Sequence, residues 1–168
     1  MLDAVIENIF SASGWENEFS QASERLCVLV VDDEDMIRKL NAAGLANYGF
    51  DVVTASDGAE AWEMLHQRGF DLLVTDNNMP DVTGFELLQK IHAEGLALPV
   101  IMATGTAPEE VFTRAPWLRP AAVLEKPYSI EDLLGTVKEV LNANAAEPLE
   151  VAPPPNWLST LAPVAVRC

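Results

Sequence analysis

The stretch "LCVLVVDDEDM", residues 26–36, turns abruptly from apolar to acidic. An apolar run stops at a run of acids that begins with Asp32, Asp33 and Glu34. Such a run, with no polar alternation, reads as a strand buried on both faces, as in parallel sheets. Next, Ile37, Leu40, Gly44, Leu45 and Tyr48 recur at helical spacing, and Gly49 closes the segment. The same rhythm then repeats. "FDVVTA" (50–55) is a strand and 57–67 a helix; "FDLLVTD" (70–76) is a strand and 83–93 a helix; "LALPVIMAT" (96–104) is a fourth strand. Gly49, Gly69 and Gly95 follow the first three helices, where glycine supplies a left-handed turn. A last unit is "AAVLEKPY" (121–128) and "SIEDLLGTVKEVLNAN" (129–144). In it Ser129 is the N-cap, and Ile130, Leu133, Leu134, Val137, Val140 and Leu141 form the apolar stripe. This alternation predicts an α/β fold, a parallel sheet with helices on both faces.

The pattern occupies residues 25–144. Residues 1–24 read as an N-terminal extension in which Leu2, Val5, Ile6, Ile9 and Phe10 fit one short helix. Residues 145–168 hold five prolines and no periodicity, which reads as a disordered Pro-rich tail carrying a lone Trp157–Leu158 pair. With 26 acidic against 10 basic residues the net charge is −16. That balance argues against general nucleic-acid binding, which needs clustered Lys and Arg, and against anionic membranes. Two distant cysteines, Cys27 and Cys168, make neither a disulfide framework nor a zinc spacing. There is no basic signal-peptide start and no apolar run of membrane length, so a cytoplasmic location is expected. The 24 residues after the last helix are too few for a second core, so a stand-alone domain is expected.

The polar exceptions fall in one place. Asp32 and Asp33 close the first strand, Asp76 the third, Thr104 the fourth and Lys126 the fifth. In an open doubly wound sheet the carboxyl ends of the strands lie along one edge, where ligands bind. Two carboxylates ~5 Å apart repel by about 3 kcal/mol at an effective dielectric of ~20. Three together hold protons or recruit a cation. An oxygen-only donor set suits a hard divalent ion, Mg²⁺ or Mn²⁺, and the lack of His and Cys at these positions argues against zinc. A carboxylate beside such an ion, a lysine and a hydroxyl suits phosphoryl transfer. The carboxylate is the nucleophile, and the cations neutralise phosphoryl charge.

"VLVVDDE", "LLVTDNNMPDVTGFELL", "PVIMATG" and "EKPYSIEDLL", in this order, resemble the receiver domain of bacterial two-component response regulators. The resemblance implies a flavodoxin-like (βα)5 fold with five parallel strands in the order 2-1-3-4-5. It implies that Asp76 is the phosphoacceptor, that Thr104 bonds a phosphoryl oxygen, and that Lys126 pairs with the acceptor. Asp33 would ligate the metal directly, Asp32 mainly through water, and Asn78 through its backbone carbonyl. Lys126–Pro127 would be a cis bond. Met79, Pro80 and Gly84 would shape the loop and the entry to the third helix. Such a domain takes a phosphoryl group from a histidine kinase or phosphotransfer protein and signals to a downstream protein. It catalyses only its own phosphorylation and dephosphorylation.

Two departures stand out. Val123 occupies a position where many members carry Tyr or Phe, so the usual Thr–aromatic coupling is missing. Pro108, Pro116 and Pro120 restrict the fourth helix to about two turns. Trp117 then fills the gap left by the short helix. Asn78 and Thr106 flank the phosphoryl site. His66, His92 and Trp62 read as surface, surface and packing residues. Two rival functions remain. One is a binding module of the same fold without phospho-switching. The other is an Asp-nucleophile phosphatase, disfavoured because Asn78 stands where that chemistry wants a second acid.

Overall fold

The computed structural model describes residues 25–105 and 109–146, with side chains for all of these except 109–111. The expected N-terminal helix, the Pro-rich tail with Trp157 and Leu158, and Thr106 and Pro108 lie outside the described residues. The elements alternate: β1 (Cys27–Val31), α1 (Asp35–Asn47), β2 (Asp51–Ala55), α2 (Gly58–Gln67), β3 (Leu72–Asp76), α3 (Gly84–Ala93), β4 (Val100–Thr104), α4 (Glu109–Arg114), a 3-10 turn (Pro116–Leu118), β5 (Ala122–Glu125) and α5 (Ile130–Ala146). All neighbouring strands pair in parallel, in the order β2-β1-β3-β4-β5. This is the expected five-stranded doubly wound sheet.

The two faces divide the apolar residues by the period of the strand. Val28 and Val30 of β1 join Leu72, Val74 and Ile101 under α1 and α5, where Leu45, Leu133 and Val137 are buried. Leu29 and Val31 join Leu73 and Met102 under α2, α3 and α4, where Ala61, Leu87, Ile91 and Phe112 are buried. Strands β1, β3 and β4 are buried at every position, which is why their sequences show no alternation.

Helix ends follow local chemistry. Asp57 caps α2 by accepting from the N–H groups of Ala59 and Glu60. Thr83 and Glu86 form a reciprocal capping box at α3. At α5, Ser129 and Asp132 bond each other's main-chain N–H in the same way.

Four expectations need correction. Gly49 and Gly95 have positive φ (94° and 67°), but Gly69 does not, because Arg68 already leaves α2 in an extended conformation. Strand β4 begins at Val100 rather than residue 96, since Pro99 has no N–H for a ladder. Leu40 is 47% exposed, and Asn41 takes the buried place in the α1 stripe. Helix α5 runs to Ala146, beyond the expected end at 144. The short fourth helix is as expected. Pro116 opens the 3-10 turn, where a missing N–H costs nothing. Phe85 and Trp117 pack against buried Ala115 and Leu118, so Trp117 does fill space there.

Candidate functional site

Strand geometry gathers the polar residues. The register places Asp76 opposite Ala103 on β4, and Thr104 opposite Glu125 on β5. Lys126 N–H donates to the Thr104 carbonyl at 2.9 Å, which carries the pairing one residue past β5. The Lys126–Pro127 bond is cis. Asp32, Asp76 and Thr104 are 2, 5 and 1% exposed, whereas Asp33 and Asn78 are exposed. The site is therefore a buried floor with an open rim.

Lys126 Nζ lies 3.3 Å from Asp76 Oδ2 and 3.5 Å from Asp32 Oδ2. Burial acts to lower the lysine's pKa, but Asp76 and then Asp32 outweigh it, so the net shift is upward and the ammonium stays charged. Asp32 is shifted upward as well. Burial is the main cause and the nearby Asp76 adds to it, while the Glu34 amide and Lys126 work against them. Asp32 Oδ1 accepts from Glu34 N–H at 2.9 Å. Glu34 is the N-cap residue of α1, but its own side chain makes no capping bond. The acidic run thus separates into Asp32 and Asp33 at the site and Glu34 and Asp35 at the helix start.

One lysine does not balance three acids. Asp32, Asp33 and Asp76 each offer a carboxylate oxygen, and these atoms lie within 4.8 Å of one another. Asp76 Oδ1 is buried with no hydrogen-bond partner. A buried acceptor left unpaired costs roughly 1–3 kcal/mol, more if charged. The unpaired oxygen, the surplus of negative charge and the all-oxygen donor set fit a hard divalent cation. Of the residues singled out in the sequence, Asp32, Asp33, Asp76 and Lys126 meet here, and Thr104 is buried at the end of the neighbouring strand. Asn78 sits two residues beyond Asp76 on the β3–α3 loop.

The structure adds residues that the sequence did not single out. Asn41 Nδ2 donates to Tyr128 Oη at 2.9 Å, tying α1 to the segment after Lys126. Its signal was a polar residue in the phase of a buried helical stripe. Arg38 donates to the Asp32 carbonyl at 2.7 Å and pairs with Asp35 at 2.8 Å. Asn77 binds main-chain N–H of α3. Gly84 has an ordinary φ, but a Cβ there would collide with the Asp76 carbonyl oxygen. Met79 is a core residue rather than only a loop-shaping one. His66 is exposed as expected, whereas His92 is half-buried and its pKa is lowered by burial. Trp62 packs against the core, as expected.

Residues 28–138 match the response regulator receiver domain family. The chain is 32% identical over 131 residues to the sensor histidine kinase RcsC of Salmonella typhi, covering 78% of this chain and 14% of that one. It is 34% identical over 116 residues to the chemotaxis protein CheY of Pseudomonas aeruginosa, covering 67% of this chain and 94% of that one. Among solved structures, a CheY-like receiver domain protein from Methanospirillum hungatei superimposes with a TM-score of 0.68 at 31% identity, covering 74% of this chain and 99% of that one. CheY4 of Vibrio cholerae gives a TM-score of 0.63 at 32% identity, covering 70% and 99%. The chain thus spans about a seventh of the kinase it matches, and nearly all of the chemotaxis protein. Among the described residues, no helix is long and apolar enough to cross a membrane.

Proposed function

The chain belongs to the response regulator receiver domain family, and from that premise we propose that it accepts a phosphoryl group on Asp76 and signals by changing its protein contacts. The observation that carries this reading is the buried Asp76, paired with Lys126 on Oδ2 and unpaired on Oδ1, beside two further carboxylates. Asp32, Asp33, Asp76 and the main-chain carbonyl of Asn78 would hold Mg²⁺, with Mn²⁺ an acceptable substitute. Bound there, the ion neutralises charge on the phosphoryl oxygens.

The donor is a phosphohistidine on a sensor kinase or a phosphotransfer protein. A carboxylate oxygen of Asp76 attacks phosphorus. The N–P bond breaks, and its electron pair returns to the donor imidazole. Lys126 is already at the acceptor and passes to the new phosphate as charge accumulates. The Thr104 hydroxyl bonds a phosphoryl oxygen. The protein catalyses its own phosphorylation and dephosphorylation and turns over no other substrate. Its output is a shift between two surface states read by a partner protein.

Incubation with a small acyl phosphate, with and without Mg²⁺, tests the reading by intact mass. A Mg²⁺-dependent gain of one phosphoryl group, lost in Asp76→Asn, is expected. A second reading, a binding module of receiver fold without switching, is favoured by Val123 and by the six-residue α4. Failure to gain mass under any condition would select it.

A further inference from the structure

Asn77 stands between the acceptor Asp76 and Asn78, and it is fastened in three directions. Its N–H donates to the Ala103 carbonyl at 3.0 Å, beside Thr104 on β4. Its carbonyl accepts from Gly84 N–H at 3.3 Å. Its side-chain Oδ1 accepts from Phe85 N–H at 3.1 Å. Gly84 and Phe85 open α3, where main-chain N–H groups have no partner inside the helix. The absence of a Cβ at Gly84 lets this turn rest against the Asp76 carbonyl. The loop 78–83 is thus clamped where it starts and where it ends. Asn78 is exposed, next to that clamp.

We infer that Asn77 is a positioning residue for the metal-dependent step, its side chain fixing the Asn78 carbonyl against the start of α3 while its main-chain N–H ties the same turn to β4. The inference rests on the reading of Asp32, Asp33 and Asp76 as a Mg²⁺ site. A pre-set loop meets the ion without reorganising, whereas an untied loop must be ordered each time the site loads. The energy of one such bond corresponds to about a fivefold change in binding.

The test uses the full chain and its Asn77→Ala and Asn77→Asp variants. Mg²⁺ is titrated by amide NMR shifts, and hydrogen exchange is followed at Phe85. The acyl-phosphate rate is measured against Mg²⁺ concentration. Asn77→Ala speeds Phe85 exchange and raises the half-saturating Mg²⁺ concentration about fivefold. Asn77→Asp, which keeps the acceptor oxygen, restores both. In the wild type, Mg²⁺ slows Phe85 exchange further, a readout that does not depend on either variant folding. Faster Phe85 exchange with unchanged Mg²⁺ affinity in Asn77→Ala would overturn the inference, as would unchanged exchange. If the wild type binds Mg²⁺ with this dependence on Asn77 yet never gains a phosphoryl group, the inference stands and the phosphoacceptor reading falls.

Discussion

The β1–β3 half of the sheet edge and the β4–β5 half are built to different standards. Around Asp32, Asp33 and Asp76 nearly every neighbour is tied. Asp32 holds the Glu34 amide, Arg38 holds the Asp32 carbonyl, and Asn77 holds both β4 and α3. Beyond Thr104 the helix shrinks to six residues, and a 3-10 turn finishes the cover. There the Trp117 indole N–H is buried without a partner, and Val123 packs only partly buried against the core. The difference separates two demands. Metal and phosphoryl chemistry needs fixed oxygens at fixed distances. On the proposed function, a surface that reports the outcome has only to exist in two forms, and many packings allow that.

Four substitutions press on that contrast. Leu118, the last residue of the 3-10 turn, is fully buried, so Leu118→Ala leaves a cavity worth about 2–5 kcal/mol. Chemical denaturation reads the loss, while Mg²⁺-dependent mass gain in the folded fraction stays intact. A parallel loss of phosphoryl uptake would erase the distinction between the halves. Gly84→Ala strikes the other half. The added methyl meets the Asp76 carbonyl, costs about 1–3 kcal/mol, and lowers Mg²⁺ affinity with stability. If the variant binds Mg²⁺ normally, the loop tolerates more movement than its bonds imply.

Asp32→Asn keeps the acceptor for Glu34 N–H and removes a poorly solvated charge. Without metal at neutral pH it stabilises by about 1 kcal/mol, a usual size for one relieved defect. The sign follows from the upward shift. The folded wild type binds this proton more tightly than the unfolded chain, whose ordinary value is 3.8. Wild-type stability therefore gains as pH falls through the folded pKa towards 3.8, and Asp32→Asn loses that gain. Thermal melts against pH, repeated with Mg²⁺, check both statements, because Mg²⁺ should protect only the wild type strongly.

The smallest effect is at His66, whose Nδ1 faces the Trp62 carbonyl at 2.8 Å and whose Nε2 faces Glu94 at 3.0 Å. Both partners are acceptors, so the imidazolium satisfies both. The bond to the Trp62 carbonyl and then the one to Glu94 raise its pKa above the ordinary 6.5. This clasp contributes fully below 6.5 and is lost as pH rises through the folded value. His66→Gln should flatten that part of the stability profile. An unchanged slope would mean that the clasp between the ends of α2 and α3 adds nothing.

The site acids were legible because they break apolar runs at the carboxyl ends of strands, where a parallel sheet makes one edge of separate segments. Lys126 and Thr104 were legible for the same reason. Asn41 was not, since a stripe drawn through Ile37 and Leu40 puts the wrong residue inside. Asn77 was hidden because its partner, Phe85, is eight residues away across an irregular loop. Gly69 misled because a glycine after a helix permits a left-handed turn without requiring one. The start of β4 was set too early because an apolar stretch says nothing about where ladder bonds begin.

The Lys126–Asp32 pair joins positions 94 residues apart. During synthesis the three acids leave the ribosome first, and Lys126 comes 50 residues after Asp76 (126 − 76). At about 5–20 residues per second, the acids wait roughly 3–10 s for their cation. A nascent or truncated chain ending before Lys126 carries Asp76 but not the ammonium that pairs with it. Because this lysine follows the last strand, the proposed phosphoryl uptake would wait until every strand of the sheet has been made.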